Sequence, residues 1–391
     1  MIRVAFTAIG GKDWLGGGNY LRNLIEVLTV HASDAVTPVF FVDAGQVHSS
    51  PAAAGPKAEI KPLAGLGANR NLSTVRAILF GSDQVAARVF GRERIDAVFE
   101  VGRFFGSRFP FPVLSWFADF QHKRMPHLFR KTDLWKRDAL MWARISAHRT
   151  LMLSSRNAEQ DCVHFFPEAA GRTAVVPFAV NCLPETALET ADAIRAKYQL
   201  PDRYFFLPNQ FWRHKNHGLV LKALERLQAR GVRVAIAASG LLSDIRNPDH
   251  VRELRARIEA AGLAGSFQVL GVIPYPDVIG LMRGAIALIN PSEFEGWSTS
   301  VEEAKAYGTP MLLSDLGVHR EQAGAAAEYF SVRDDGRLAD LLEAAWSRGI
   351  LNNRVEREAQ ARIDQEKRVK AFALAFVSAL ETAIDDFRRR P

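Results

Sequence analysis

At 391 residues, 48% of them hydrophobic, the chain is too long for one ordinary core and suits two domains of about 180 residues each. Two cysteines, Cys162 and Cys182, without metal-ligand spacing, argue against a disulfide scaffold and for reduced thiols in a cytosolic protein. No apolar stretch approaches the roughly 18 residues of a membrane span, and the net charge of +7 comes without a recognition helix, an RNA-binding sheet signature or a zinc finger, which sets nucleic acid aside.

The chain opens on a strand, residues 2–9, and not on a charged-then-apolar leader, so no signal peptide is expected. Gly10, Gly11, Gly16, Gly17 and Gly18 follow it and precede an apolar-striped helix. Glycines there allow close backbone approach to a ligand, although the spacing is not G-x-G-x-x-G and many doubly wound folds have such a turn. Further strands of the first half are expected at 39–42, 97–101, 113–116, 151–154 and 174–177, whereas 49–67, rich in Pro, Gly and Ala, reads as a mobile loop.

Between residues 101 and 150 stand ten bases, Arg103, Arg108, Lys123, Arg124, Arg130, Lys131, Lys136, Arg137, Arg144 and Arg149, against three acids, Asp119, Asp133 and Asp138. That excess equals the charge of the whole chain. Interleaved with aromatics such as Phe104, Trp116, Trp135 and Trp142, the stretch reads either as a patch for anionic headgroups or a phosphorylated acceptor, or as solvated helix faces.

Strands of the second half are expected at 204–207, 232–238, 267–270, 285–289 and 311–314, with the linker between 181 and 190. Alternation with amphipathic helices in both halves argues for two parallel sheets, each covered on both faces. After the strand at 204–207 comes Pro208-Asn209-Gln210-Phe211-Trp212-Arg213-His214-Lys215-Asn216, with Asn216 as a natural N-cap for a helix striped by Val220, Leu221, Leu224 and Leu227. Arg213 and Lys215 then cluster where their charge opposes the helix dipole, an arrangement that wants an anion. After the strand at 285–289 comes Asn290-Pro291-Ser292-Glu293-Phe294-Glu295-Gly296-Trp297-Ser298-Thr299-Ser300-Val301-Glu302-Glu303, with Ser298, Thr299 and Ser300 as competing N-caps. Glu295 falls in the turn and Glu303 in the first helical turn. A carboxylate can accept two hydrogen bonds from a vicinal diol, yet Thr299-x-x-Glu302 and Ser300-x-x-Glu303 are also legal capping boxes.

This last run resembles the Glu-x7-Glu motif of retaining glycosyltransferases of family 4, which have the GT-B fold: two Rossmann-like, doubly wound parallel-sheet domains facing a central cleft. The resemblance implies that Glu303 holds the ribose hydroxyls of a nucleoside diphosphate sugar and that Glu295 faces the donor sugar. It assigns Arg213 and Lys215 to the donor phosphates and Asn209, Gly296, Trp297, Ser298 and Thr299 to donor binding, with Gly296-Trp297-Ser298 where many members have Gly-Phe-Gly. Gly16 and Gly17 match the family's glycine-rich loop. Ala118-Asp119-Phe120-Gln121-His122 is similar to an Asp-x-Gln-His stretch in which His122 contacts the transferred sugar, and 314–322 looks like the end of the donor site. Asp13 and Asp119 both remain candidates to deprotonate the acceptor hydroxyl.

The resemblance further implies an acceptor-side domain at 1–182, a nucleotide-sugar domain at 183–370 and a C-terminal helix, 371–391, that crosses back to the first. The expected activity is metal-independent hexosyl transfer to a glycan or glycolipid, in polysaccharide or lipopolysaccharide-type biosynthesis, with no cofactor. No Asp-x-Asp stands at a strand end, and Arg213 with Lys215 can neutralise the leaving diphosphate. Such an enzyme would be cytoplasmic, peripheral at the inner face of the plasma membrane if residues 101–150 bind it. A sugar-nucleotide 2-epimerase or a non-catalytic binding protein of the same fold is the alternative.

Overall fold

The computed structural model describes residues 1–7, 15–43, 58–63, 70–350 and 353–389. The chain divides into two compact units, one of residues 1–179 with 367–391, the other of residues 180–366.

The first unit runs β1 (Ile2–Thr7), α1 (Leu15–His31), β2 (Val36–Val42), β3 (Glu59–Pro62), α2 (Arg70–Phe80), α3 (Gln84–Arg92), β4 (Ala97–Glu100), β5 (Val113–Phe117), α4 (Gln121–Arg124), α5 (Lys131–Ser146), β6 (Thr150–Leu153), α6 (Arg156–Phe165) and β7 (Thr173–Val175). Its described strands form one parallel sheet in the order β3-β2-β1-β4-β5-β6-β7. Val4, Ala5 and Phe6 in the middle are fully buried, as a sheet covered on both faces requires.

Two expectations are corrected here. β3 lies inside the stretch 49–67 that was expected to be loop; it carries no apolar alternation because it is an edge strand, held by backbone pairing of Val39 with Glu59 through Val42 with Pro62. Nor is 101–150 a single basic surface. Arg103 pairs with Asp83, Arg144 Nε lies 3.2 Å from Glu100, and Arg149 donates to the Gly106 carbonyl at 2.6 Å, all three guanidinium groups being buried. Their partners Asp83 and Glu100 lie upstream of the stretch, so a local charge count misses them. The exposed bases of the stretch are Arg108, Arg124, Arg130, Lys131, Lys136 and Arg137; on α5 Lys131 shares a face with the exposed Trp142 and the 71% exposed Trp135.

The second unit runs α7 (Ala191–Lys197), β8 (Phe205–Leu207), α8 (His217–Ala229), β9 (Ile236–Ser239), α9 (His250–Ala260), β10 (Phe267–Gly271), α10 (Tyr275–Gly284), β11 (Leu288–Asn290), α11 (Thr299–Ala306), β12 (Met311–Ser314), α12 (Gly317–Ala323), β13 (Ala327–Phe330) and α13 (Asp335–Arg348). Its parallel sheet has the order β10-β9-β8-β11-β12-β13, so both units start in mid-sheet and wind outward in both directions, the Rossmann pattern. β13 was not anticipated: of its residues only Phe330 is buried, too little apolar signal for a strand. In α8 the buried Leu219, Val220, Leu221, Ala223, Leu224 and Leu227 make a wide apolar stripe, and Gly231, at φ +76°, takes the chain out of the helix.

The chain closes with α14 (Arg354–Arg388), which belongs to the second unit up to Glu366 and to the first from Lys367 on. In the second unit Glu358 pairs with Arg283 at 2.7 Å. In the first, Phe372, Phe376 and Leu380 are buried, and the Phe376 ring lies 5.3 Å from that of Phe99 and 6.0 Å from that of Phe6. Among the described residues no helix is long and apolar enough to cross a membrane.

Candidate active site

Ligands of doubly wound sheets bind beyond the carboxyl ends of the strands. In the second unit the segments following β8, β11 and β12 are tied together there by polar side chains. Asn290, the fully buried last residue of β11, is the tie: its Oδ1 accepts from Asn209 Nδ2 at 3.0 Å and from Ser292 Oγ at 2.7 Å, and its Nδ2 donates to Ser298 Oγ at 2.9 Å. The Glu293 amide donates to the His214 carbonyl at 2.8 Å, joining the β8 and β11 segments a second time.

After β8, Arg213–Lys215 form a single 3₁₀ turn. The Arg213 amide donates to Asp244 Oδ2 at 2.9 Å, and the buried Asp244 also takes the Arg246 amide at 3.0 Å, so one carboxylate fixes the turn. The Arg213 guanidinium is exposed and makes no ion pair among the described residues. Asn216 occupies the N-cap position of α8, as expected, but its side chain makes no capping bond. It adopts left-handed backbone, φ 55°, which asparagine tolerates, and its amide donates to the Val332 carbonyl at 3.0 Å.

The capping boxes are not formed either. Ser298 is the N-cap, so neither Thr299 nor Ser300 heads α11, and no side-chain capping bond is made. The Ser298 amide donates instead to Gln322 Oε1 at 2.9 Å, while Gln322 Nε2 donates to the Ser298 carbonyl at 3.0 Å and to Glu302 Oε1 at 3.1 Å. Glu302 also takes Lys305 at 2.8 Å. Glu303 stands one residue past the first turn, in which Glu302 is the acid.

The two spaced glutamates therefore have different environments. Lys215 Nζ donates to Glu295 Oε1 at 2.6 Å, and Ser292 Oγ donates to the same oxygen at 2.8 Å. Burial raises the Glu295 carboxyl, but the charges of Lys215 and His319 and the bonds from Lys215 and Ser292 outweigh it and hold the group at about 2. Glu303 is 6% exposed and, among the described residues, has only the Tyr275 hydroxyl to offset desolvation, so its carboxyl is pushed up to about 7. His214 and His217 flank Lys215 in sequence; burial first and the Lys215 charge among the further causes push both down to about 3. Of the remaining donor candidates, Gly296 and Trp297 are half-buried in the turn and Thr299 is exposed. Among the described residues no group of three or more His, Cys, Asp or Glu could hold a metal ion.

The other candidates belong to the first unit. Asp13, Gly10 and Gly11 lie outside the described residues. Gly16 and Gly17 are in α1 and not in a loop, since the helix starts at Leu15. His122 is buried with Nε2 3.1 Å from Asp138 Oδ1, and burial lowers its basicity. Asp119 Oδ1 accepts from the Gln121 amide at 2.9 Å.

Residues 191–362 match the family described as glycosyl transferases group 1. No curated protein matches the chain. Among solved structures it is similar to a glycosyltransferase from Rickettsia africae (14% identity, TM-score 0.65, covering 100% of this chain and 99% of that one). It is also similar to HepE from Anabaena, solved with UDP-glucose (16% identity, TM-score 0.66, 98% and 100% covered), and to WaaG, a glycosyltransferase involved in lipopolysaccharide biosynthesis (13% identity, TM-score 0.60, 100% of each). At such identities the likeness establishes the fold. The fold is GT-B, and residues 191–362 are similar to the group 1 glycosyl transferases.

Proposed function

We propose, from the group 1 similarity at 191–362, that this protein transfers a hexose from a nucleoside diphosphate sugar to a hydroxyl of a glycan or lipid-linked acceptor, with retention at the anomeric carbon, in polysaccharide or lipopolysaccharide-type synthesis. The observation that carries the reading is the contrast between Glu295, ionised and paired with Lys215, and Glu303, buried with one hydroxyl partner. Glu303 has acceptor capacity left for a ribose diol. Lys215 and the unpaired Arg213 supply positive charge for a diphosphate whose negative charge grows as the glycosidic bond breaks, which stabilises the transition state more than the ground state and calls for no metal. Glu295, held well below the usual carboxylate range by Lys215 and Ser292, suits the hydroxyls or developing positive charge of the sugar. Asn209, Gly296, Trp297, Ser298 and Thr299 would complete the donor site within the second unit. UDP-glucose is the first donor to try, because a neighbour of the same fold was solved with it.

Thermal-shift titration with UDP, GDP, ADP and dTDP tests the donor, since a ligand at 100 times its dissociation constant stabilises by about 2.7 kcal/mol. Incubation with the matching nucleotide sugar then separates transfer, which releases nucleotide, from 2-epimerisation, which does not. Failure of all four nucleotides to shift the melting temperature would refute the reading. The exposed Trp135 and Trp142 of α5, beside Lys131 and among the exposed Arg130, Lys136 and Arg137, support peripheral attachment to an anionic membrane; binding to acidic vesicles that weakens with salt is expected, and equal binding to neutral vesicles would refute it.

A further inference from the structure

His319 has no role in the scheme above, yet its ring is fully buried on α12 in the same network. Its Nδ1 lies 2.8 Å from the Ser314 carbonyl oxygen, which can only accept, so Nδ1 carries the proton. The neutral imidazole then presents Nε2 as a bare acceptor. Burial keeps the ring neutral, against the opposing pull of Glu295 and the Ser314 bond, with Lys215 adding to the effect of burial. Among the described residues no donor reaches that buried Nε2.

The charged groups that act on the ring are Glu295 and Lys215. The Ser314 hydroxyl, beside the His319 ring, donates to the Ser292 carbonyl at 2.6 Å and so fastens the end of β12 to the turn that carries Glu295. Glu295 has the same open valence. Its Oε1 takes Lys215, Ser292 and Asn290, whereas among the described residues no hydrogen bond reaches Oε2. His319 Nε2 is buried without a donor and the partly exposed Glu295 keeps an open oxygen beside it in the network; a hydroxyl-rich ligand would meet both, and Nε2 has most to gain, because a desolvated acceptor is retained at lasting cost unless something supplies its proton.

We propose that His319 is a donor-sugar contact and determinant of sugar specificity: Nε2 accepts a hydrogen bond from one hydroxyl of the transferred hexose while Glu295 Oε2 accepts from another. The proposal rests on the donor-site reading of Lys215, Glu295 and Glu303. His319→Asn keeps an amide donor on the Ser314 side and removes the Nε2 acceptor; His319→Gln extends an oxygen toward the Nε2 position. Calorimetric titration of both variants and wild type with UDP, GDP, ADP and dTDP, and with the glucose conjugate of each, separates sugar from nucleotide. For the nucleotide that binds, the free diphosphate should keep its affinity in His319→Asn, and the glucose conjugate should bind about tenfold more weakly, with recovery in His319→Gln. Among monodeoxyglucose conjugates, one should lose about tenfold against wild type and nothing further against His319→Asn. Glucose conjugates that bind His319→Asn as they bind wild type would overturn the proposal and leave the donor site standing. A parallel loss of free nucleotide and conjugate, or rescue by Asn and not by Gln, would make His319 a structural anchor of Ser314 and overturn it too. If no nucleotide binds wild type, the donor site itself falls, and this proposal with it.

Discussion

Both units bury carboxylates near the carboxyl ends of their strands, and the second, besides supplied ones such as Asp244 and Glu302, holds two that are not fully supplied. Glu100, the last residue of β4 in the first unit, is fully buried and well supplied: Oε1 accepts the Phe105 amide at 3.0 Å, Oε2 accepts Ser115 Oγ at 2.5 Å, and the buried Arg144 lies at 3.2 Å. Asp83 is likewise spent on Arg103 and on capping α3 through the Ala86 amide. In the second unit Glu303 is buried with one tyrosine, Glu295 is half-used and His319 keeps a bare nitrogen. A satisfied buried charge holds a fold together; an unsatisfied one is kept in reserve for something that arrives later.

Four experiments press on this contrast, from the largest effect to the smallest. Arg144→Leu leaves Glu100 buried without its counter-charge and should destabilise the protein by about 3–5 kcal/mol in a denaturant titration, while nucleotide affinity of the folded protein stays unchanged. A shift of stability under about 1 kcal/mol would show that the pair is not structural. Lys215→Ala should lower turnover by about 100-fold or more in steady-state kinetics with a smaller effect on donor binding, and Lys215→Arg should restore only part, since a planar fork does not replace a compact ammonium. Turnover near wild type would remove Lys215 from the phosphate role. Glu303→Gln should weaken nucleotide binding by about 1–3 kcal/mol at pH 8 by calorimetry with the fold intact. Unchanged affinity would dismiss the ribose role.

The last follows from the proton on Glu303. Its folded value near 7 lies above the ordinary carboxyl value, so the native protein holds a proton that the unfolded chain releases, and the stability this contributes is lost as pH rises toward 7. Affinity for a nucleotide sugar runs the other way, because the diol prefers the ionised carboxylate: binding should be about tenfold weaker at pH 6 than at pH 8. Glu303→Gln should flatten that profile. A profile as steep in the variant would place the titration elsewhere.

Local periodicity made most of the second unit readable in the sequence. The apolar runs of β8 and β11 and the stripe of α8 announce themselves, and the Arg213, Lys215, Glu295 and Glu303 side chains stand on the segments that follow those two strands. What escaped was held by distant partners. Gln322 meets Ser298 across 24 residues, and Asp244 meets Arg213 across 31, so neither looks special in its own neighbourhood. Asn216 is the N-cap its residue type suggested, but at φ 55° its side-chain amide reaches the distant Val332 carbonyl and makes no capping bond. β3 and β13 are edge strands with thin apolar content, and the burial of Arg103 and Arg144 escaped because their partners Asp83 and Glu100 precede the basic stretch in the chain.

The sharing of α14 between the units bears on the order in which the protein is completed. Chains emerge from the ribosome from the N-terminus, and domains generally fold as they appear. Here the rings of Phe6 and Phe99 stand uncovered until Phe376 has been made, whereas residues 180–366 form an unbroken segment that can close as soon as it is out. The core of the first unit is therefore completed by its last residues, whereas that of the second is contiguous in the chain.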